Sequence, residues 1–146
     1  MDEAKKYKIM SNTIFPRPIA WIMTEDDGIL NLAPFSYFAP LSSEPPLVVV
    51  SIAKKEGSEE PKDTFANTLK HGVCTINLAH EELLGALVDT SEELPKDVSE
   101  CERFGIKTKR ILPDYPPMVD GAKAALFCKF VKTLCNFDYL LSLSKS

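Results

Sequence analysis

Pro18-Ile19-Ala20-Trp21-Ile22-Met23-Thr24-Glu25-Asp26-Asp27-Gly28-Ile29-Leu30-Asn31-Leu32-Ala33 reads as a β-hairpin. Ile19 to Met23 is apolar and β-prone, Glu25-Asp26-Asp27-Gly28 carries turn chemistry, and Ile29-Leu30-Asn31-Leu32 returns. The Asp27-Gly28 pair can supply the positive φ angles that a tight connection demands.

Working outward, Pro34-Phe35-Ser36-Tyr37-Phe38-Ala39-Pro40 is an aromatic segment bracketed by prolines, which disfavour a regular central strand. Leu47-Val48-Val49-Val50-Ser51-Ile52 is a continuous β-branched run and predicts a strand buried on both faces. Residues 54–61 form a charged loop. A helix is expected from Asp63, with Phe65, Leu69 and Thr68 on one face and His71-Gly72 at its end.

Strand Val73–Leu78 and a short helix Glu81–Val88 follow. Residues 90–100 read as an acidic loop, 101–105 as a single helical turn, and 106–111 as a strand. Leu112 to Gly121 holds three prolines and is expected to be irregular. Ala124–Leu134 is the last convincing strand. Strands outnumber helices, so the expected class is mainly β: a β-barrel with peripheral helices, forming a single domain over residues 1–146.

The bulk properties narrow the functions. A hydrophobic content of 45% and a charged content of 26% are those of an ordinary globular chain. A net charge of -4 argues against a nucleic-acid or anionic-membrane surface, and no basic face with interleaved aromatics is present. The opening MDEAKKYKIM has no apolar core of a signal peptide, so the expected address is the cytoplasm. Cys74, Cys101, Cys128 and Cys135 form no C-x-x-C, and only His71 and His80 could add imidazole; they read as ordinary thiols, with no metal site expected.

Three segments carry chemistry. Lys62-Asp63-Thr64 brings a cation, a candidate N-cap and a hydroxyl to a helix start, where free N–H groups and the dipole favour an anion. Ordinary capping with a solvated lysine accounts for the same residues. Asn31 to Phe38 combines small Ala33 with aromatic side chains and the polar Asn31 and Ser36, as a flat heteroaromatic ligand requires; a plain aromatic core fits equally. Ser51 leads into Lys54 and Lys55, a hydroxyl near two cations.

In this order, five motifs resemble the flavin reductase-like family of FMN-binding split barrels, which includes flavoredoxins. They are Pro16-Arg17-Pro18-Ile19-Ala20-Trp21, Asn31 to Phe38, Glu44 to Ile52, Lys62-Asp63-Thr64, and His71 to Leu78. The resemblance covers roughly Thr13 to Val131. It implies a homodimer with FMN near the subunit interface, and Asn31, Ala33, Pro34, Phe35 and Ser36 against the ring or ribityl chain. Lys62, Asp63 and Thr64 would hold the phosphate region, with Ser51 and Lys54 nearby and Arg17 a lesser candidate.

No residue is expected to be catalytic in its own right, since the flavin carries the chemistry. The implied activity is that of an NAD(P)H-dependent flavin reductase passing electrons to free flavin or a redox partner protein. The alternatives are an FMN electron carrier without nicotinamide turnover, and a split barrel binding haem, pyridoxal phosphate or nothing. The segment from Leu134 to the end does not resemble the family's closing strands. The expectation is therefore a C-terminally shortened barrel, a truncated form or one whose exposed edge a partner subunit covers.

Overall fold

The computed structural model describes residues 1–135 and 138–143. Seven antiparallel strands form its main sheet: β1 (Ala20–Asp26), β2 (Ile29–Phe35), β3 (Phe38–Ser43), β4 (Pro46–Ser51), β5 (Val73–Leu78), β8 (Ala124–Cys135) and β9 (Asp138–Leu143). Their order is β2-β1-β5-β8-β9-β4-β3. The two edge strands, β2 and β3, are consecutive in the chain and joined by only Ser36 and Tyr37. The sheet must therefore curl until its edges meet at that corner, where the Ser51 N–H donates to the Tyr37 carbonyl at 2.9 Å. The result is a split barrel.

The opening hairpin forms as expected, in full register from Ala20 opposite Phe35 to Asp26 opposite Ile29. Asp27 and Gly28 both have positive φ, 50° and 80°, the requirement of a two-residue turn matched to strand twist. Pro34 and Pro40 lie on the two edge strands, where a missing N–H costs no ladder bond.

Alternate residues of β1 face different cores. Ala20 and Ile22 point into the barrel with Phe35, Val48, Val50, Ile52, Cys74, Ile76 and Cys128. Trp21 and Met23 point outward into a second cluster with Leu32, Leu87, Cys101 and Val119. The strand buried on both faces is thus β1. The expectation that placed β4 there is corrected: Val48 and Val50 are buried, whereas Leu47 and Val49 are only half-buried, because none of the described helices packs closely on β4. Burial raises the acidity threshold of the thiols: Cys74 is pushed up by its hydrogen bond with Cys128 and by desolvation, and Cys101 up to about 12 by desolvation.

Helix α1 (Glu3–Thr13) is capped by Asp2, whose carboxylate accepts the Lys5 N–H at 2.8 Å, and buries no residue. Arg17 ties it to the barrel corner, donating to the carbonyls of Ser11 (2.8 Å), Ile14 and Ser36 (3.2 Å) while its guanidinium lies over the Tyr37 ring. Helix α2 (Asp63–His71) ends at Gly72, φ 73°. Its buried face is polar, Thr64, Asn67 and Thr68, whereas Leu69 is exposed and Phe65 half-buried. The apolar face expected from the sequence is displaced because α2 lies across Thr24 and Asn31 of the hairpin.

A 3-10 turn (Glu81–Leu83) leads into α3 (Leu84–Asp89), and α4 spans Glu100–Arg103. The strand expected at 106–111 shrinks to β6 (Thr108–Lys109), paired with β7 (Met118–Val119) inside the segment expected to be irregular. The largest correction concerns the end of the chain. Asp138–Leu143 is a strand, with Ser51 opposite Asp138 and Leu47 opposite Ser142 on one side and β8 on the other. It fills the gap that the sequence reading left open; residues 136, 137 and 144–146 of that tail lie outside the described residues. No described helix is long and apolar enough to cross a membrane.

At the far end of β1, Asp26 accepts hydrogen bonds from Lys70 (2.7 Å) and His71 (2.8 Å) of α2's last turn. Lys70, then His71, hold its carboxyl down at about 2. Because the folded value lies below the ordinary one, the ionised pair stabilises fully above the usual carboxylate range and is lost as pH falls toward about 2. Asp26→Asn is therefore expected to lower the melting temperature at neutral pH, with the gap to the parent closing as pH falls toward that value. Thermal melts across the acid range check this.

Candidate functional site

A cleft of about 440 Å³ opens along the outer edge of β2. Asn31, Ala33, Pro34 and Phe35 form one wall; Lys62, Asp63 and Thr64 at the start of α2, with Lys55, form another; residues 90–95 and Glu100 close the third. In an antiparallel ladder alternate residues turn their N–H groups off an edge strand. The Leu32 N–H points that way and donates to Glu100 Oε2 at 3.0 Å, while Pro34, two residues on, has no N–H to satisfy.

Asn31 organises the floor. Its Nδ2 donates to Glu100 Oε1 at 3.0 Å, and its Oδ1 accepts the Thr64 hydroxyl at 2.8 Å. Asn67 Nδ2 donates to the Thr24 hydroxyl at 3.1 Å, and Thr24 lies opposite Asn31 in the hairpin register. Thr24, Thr64, Asn67 and Glu100 are all buried. Such a network is strong when every member is satisfied and costly when one is removed. Desolvation raises the Glu100 carboxyl above the usual glutamate range, against the hydrogen bonds from Leu32 and Asn31 that favour its charge.

The cations are already engaged. Lys62 Nζ lies 3.2 Å from Glu93 Oε1, and Lys55 Nζ lies 3.1 Å from Asp63 Oδ1. Four carboxylates, Asp63, Glu92, Glu93 and Glu100, share the lining with these two lysines. The 90–95 segment is held at its start by Thr90, whose hydroxyl accepts the Trp21 Nε1–H at 2.8 Å and donates to the Leu87 carbonyl at 2.9 Å.

Of the residues singled out from the sequence, Asn31, Ala33, Pro34, Phe35, Lys62, Asp63 and Thr64 meet in this cleft. Ser36, Ser51 and Lys54 do not line it. The Ser36 carbonyl is taken by Arg17, and Ser51 and Lys54 border a separate depression with Glu3 and Glu59. Lys54 opposes Pro61 in an isolated bridge and pairs with Glu59, whereas Lys55 borders that depression and also reaches the cleft, where it pairs with Asp63.

The candidate N-cap Asp63 is instead the first helical residue; extended Lys62 occupies the cap position. The Thr64 hydroxyl donates its proton to Asn31 rather than offering it to a ligand. Glu93 and Glu100 escaped the sequence reading, which noted Lys55 only as one of two cations near Ser51. Neither lies in a recognisable motif, and Glu100 reaches Asn31 across 69 residues of chain.

These features define a split barrel with a small-ligand cleft beside its open edge. Residues 10–141 match the family model described as "Flavin reductase like domain", and the chain belongs to that family. It is 34% identical over 133 residues to an uncharacterized protein of Aquifex aeolicus, covering 90% of this chain and 67% of that one. It is 32% identical over 133 residues to the uncharacterized protein YwrF of Bacillus subtilis, covering 90% and 63%. The chain thus spans about two thirds of the length of these curated relatives.

Among solved structures it is similar to nitrilotriacetate monooxygenase component B from Bacillus cereus, with a TM-score of 0.90 and 27% identity over 99% of this chain and 76% of that one. The flavoredoxin of Desulfovibrio vulgaris has a TM-score of 0.76 at 16% identity, covering 90% and 69%, a likeness of fold.

Glu100→Ala would strand the Leu32 N–H and one Asn31 N–H in the interior, an expected loss of about 2–3 kcal/mol. Urea unfolding near neutral pH measures it; a loss no larger than that of a surface substitution would show that water replaces the carboxylate.

Proposed function

We propose that the protein holds FMN in the β2-edge cleft and acts as a flavin reductase or flavoredoxin-like oxidoreductase, with NAD(P)H as donor and free flavin or a redox protein as acceptor. The observation that carries this reading is the convergence in one cleft of Asn31-Ala33-Pro34-Phe35 with Lys62-Asp63-Thr64 in a chain of the flavin reductase-like family. The cleft volume lies within the roughly 300–1,000 Å³ typical of cofactor pockets.

The lining fits the group. Ala33, Pro34 and Leu94 offer small and apolar surface for an isoalloxazine, and Lys62, Lys55 and the N–H groups of the first turn of α2 are the groups that would meet a phosphate. When bound, flavin supplies the hydride- and electron-accepting chemistry. The chain's share is to bind and orient. Thr64 and Glu100 fix the Asn31 amide, Glu100 takes up the edge N–H of Leu32, and the 90–95 segment forms one wall of the cleft.

We also propose a homodimer. Helix α1 exposes Tyr7 and Met10 one turn apart and buries none of its residues, although Tyr7 stacks on Tyr37, and Ile14 and Phe15 just past its end are exposed as well. A second copy is the partner that would cover this surface. Light scattering after size exclusion is expected to give twice the monomer mass; a monomer at micromolar concentration overturns this part.

Titration of the purified protein with FMN, then NADH without air, tests the function. Saturable binding and prompt bleaching of the flavin bands are expected of a reductase. Bleaching by dithionite alone would leave an electron carrier, and no binding in excess FMN would overturn the reading.

A further inference from the structure

We propose that Glu93 is a specificity-determining residue of the cleft: its carboxylate occupies the anion position at Lys62 until a ligand phosphate displaces it. This rests on the FMN reading above and adds what governs preference for a phosphorylated flavin over an unphosphorylated one. Both cations of the lining are already paired, but in different ways. Lys55 and Asp63 belong to neighbouring parts of one segment, and their pair is the more shielded. Lys62 and Glu93 reach across the cleft from α2 to the 90–95 segment, and the Glu93 side chain is nearly half exposed.

A phosphate monoester carries about -1.5 to -2 charge near neutral pH. Beside Lys62 it must both replace Glu93 as partner and face it as a like charge. An exposed ion pair contributes only about 0.2–1 kcal/mol, so the exchange is within reach of an incoming dianion. The chain on either side of Glu93 is anchored, by the Thr90 and Ser91 hydroxyls on the Leu87 and Val88 carbonyls and by the Val98 N–H on the Pro95 carbonyl. Displacement is therefore a swing of the Glu93 side chain rather than loss of the segment. A flavin without phosphate has no reason to disturb the pair.

Dissociation constants for FMN and for riboflavin, measured by fluorescence quenching, test this in the parent, Glu93→Gln and Glu92→Gln. Glu92 also lines the cleft, so its neutralisation changes the charge equally while leaving the Lys62–Glu93 pair in place. Glu93→Gln is expected to tighten FMN by about two- to fivefold and to leave riboflavin essentially unmoved, with Glu92→Gln clearly weaker in effect. Equal shifts for both flavins, an equal gain in Glu92→Gln, or weaker FMN binding by Glu93→Gln overturns the proposal. Failure of the parent to bind either flavin removes the FMN reading itself, and this proposal with it; FMN binding that is indifferent to Glu93 removes this proposal alone.

Discussion

β1 is the constraint on which the molecule is built, because both of its faces are buried in different cores. Ala20 and Ile22 close the barrel interior, and Trp21 and Met23 anchor the layer of α3 and α4 outside it. A strand in that position has no solvent face, so a one-residue slip would exchange the two cores at once. The Asp27-Gly28 turn sets the register of its partner β2, and with it the position of Asn31.

The cleft follows from the edge that this arrangement leaves. β2 has β1 on one side only, and an open edge has to be covered or capped. Here a buried carboxylate caps one N–H, a proline removes the need for another, and α2 crosses over a polar pair, Thr24 and Asn31. The same solution that protects the edge creates a polar floor beneath small and apolar side chains. Covering the edge with helix start and loop, instead of another strand, leaves room for a ligand.

Carboxylates outnumber lysines in the cleft lining. Two lysines face four carboxylates, so the site is not a standing positive pocket despite a helix N-terminus at its wall. Under the proposal above, an anion would gain there by exchange with a side-chain carboxylate. Affinity in such a site depends on the difference between two partners of Lys62, which is small and can be changed by one residue.

The hairpin, the strand Val73–Leu78, the Gly72 stop and seven of the cleft residues were legible in the sequence because each rests on local chemistry: turn residues with positive φ, alternation, a helix cap, a contiguous motif. What could not be read depended on partners distant in the chain. Asp138–Leu143 lacks strict alternation and becomes a strand because β8 and β4 each offer an unpaired edge to it. Lys55 rather than Lys54 reaches the cleft, where Asp63 is its partner, while Lys54 is taken by Glu59. Glu100, in a one-turn helix with no motif of its own, matters only because the fold brings it to the edge N–H of Leu32. The sequence determined the strands, turns and chemical types present; the tertiary structure alone decided which polar groups meet, because a buried donor is satisfied by whatever the fold places within reach.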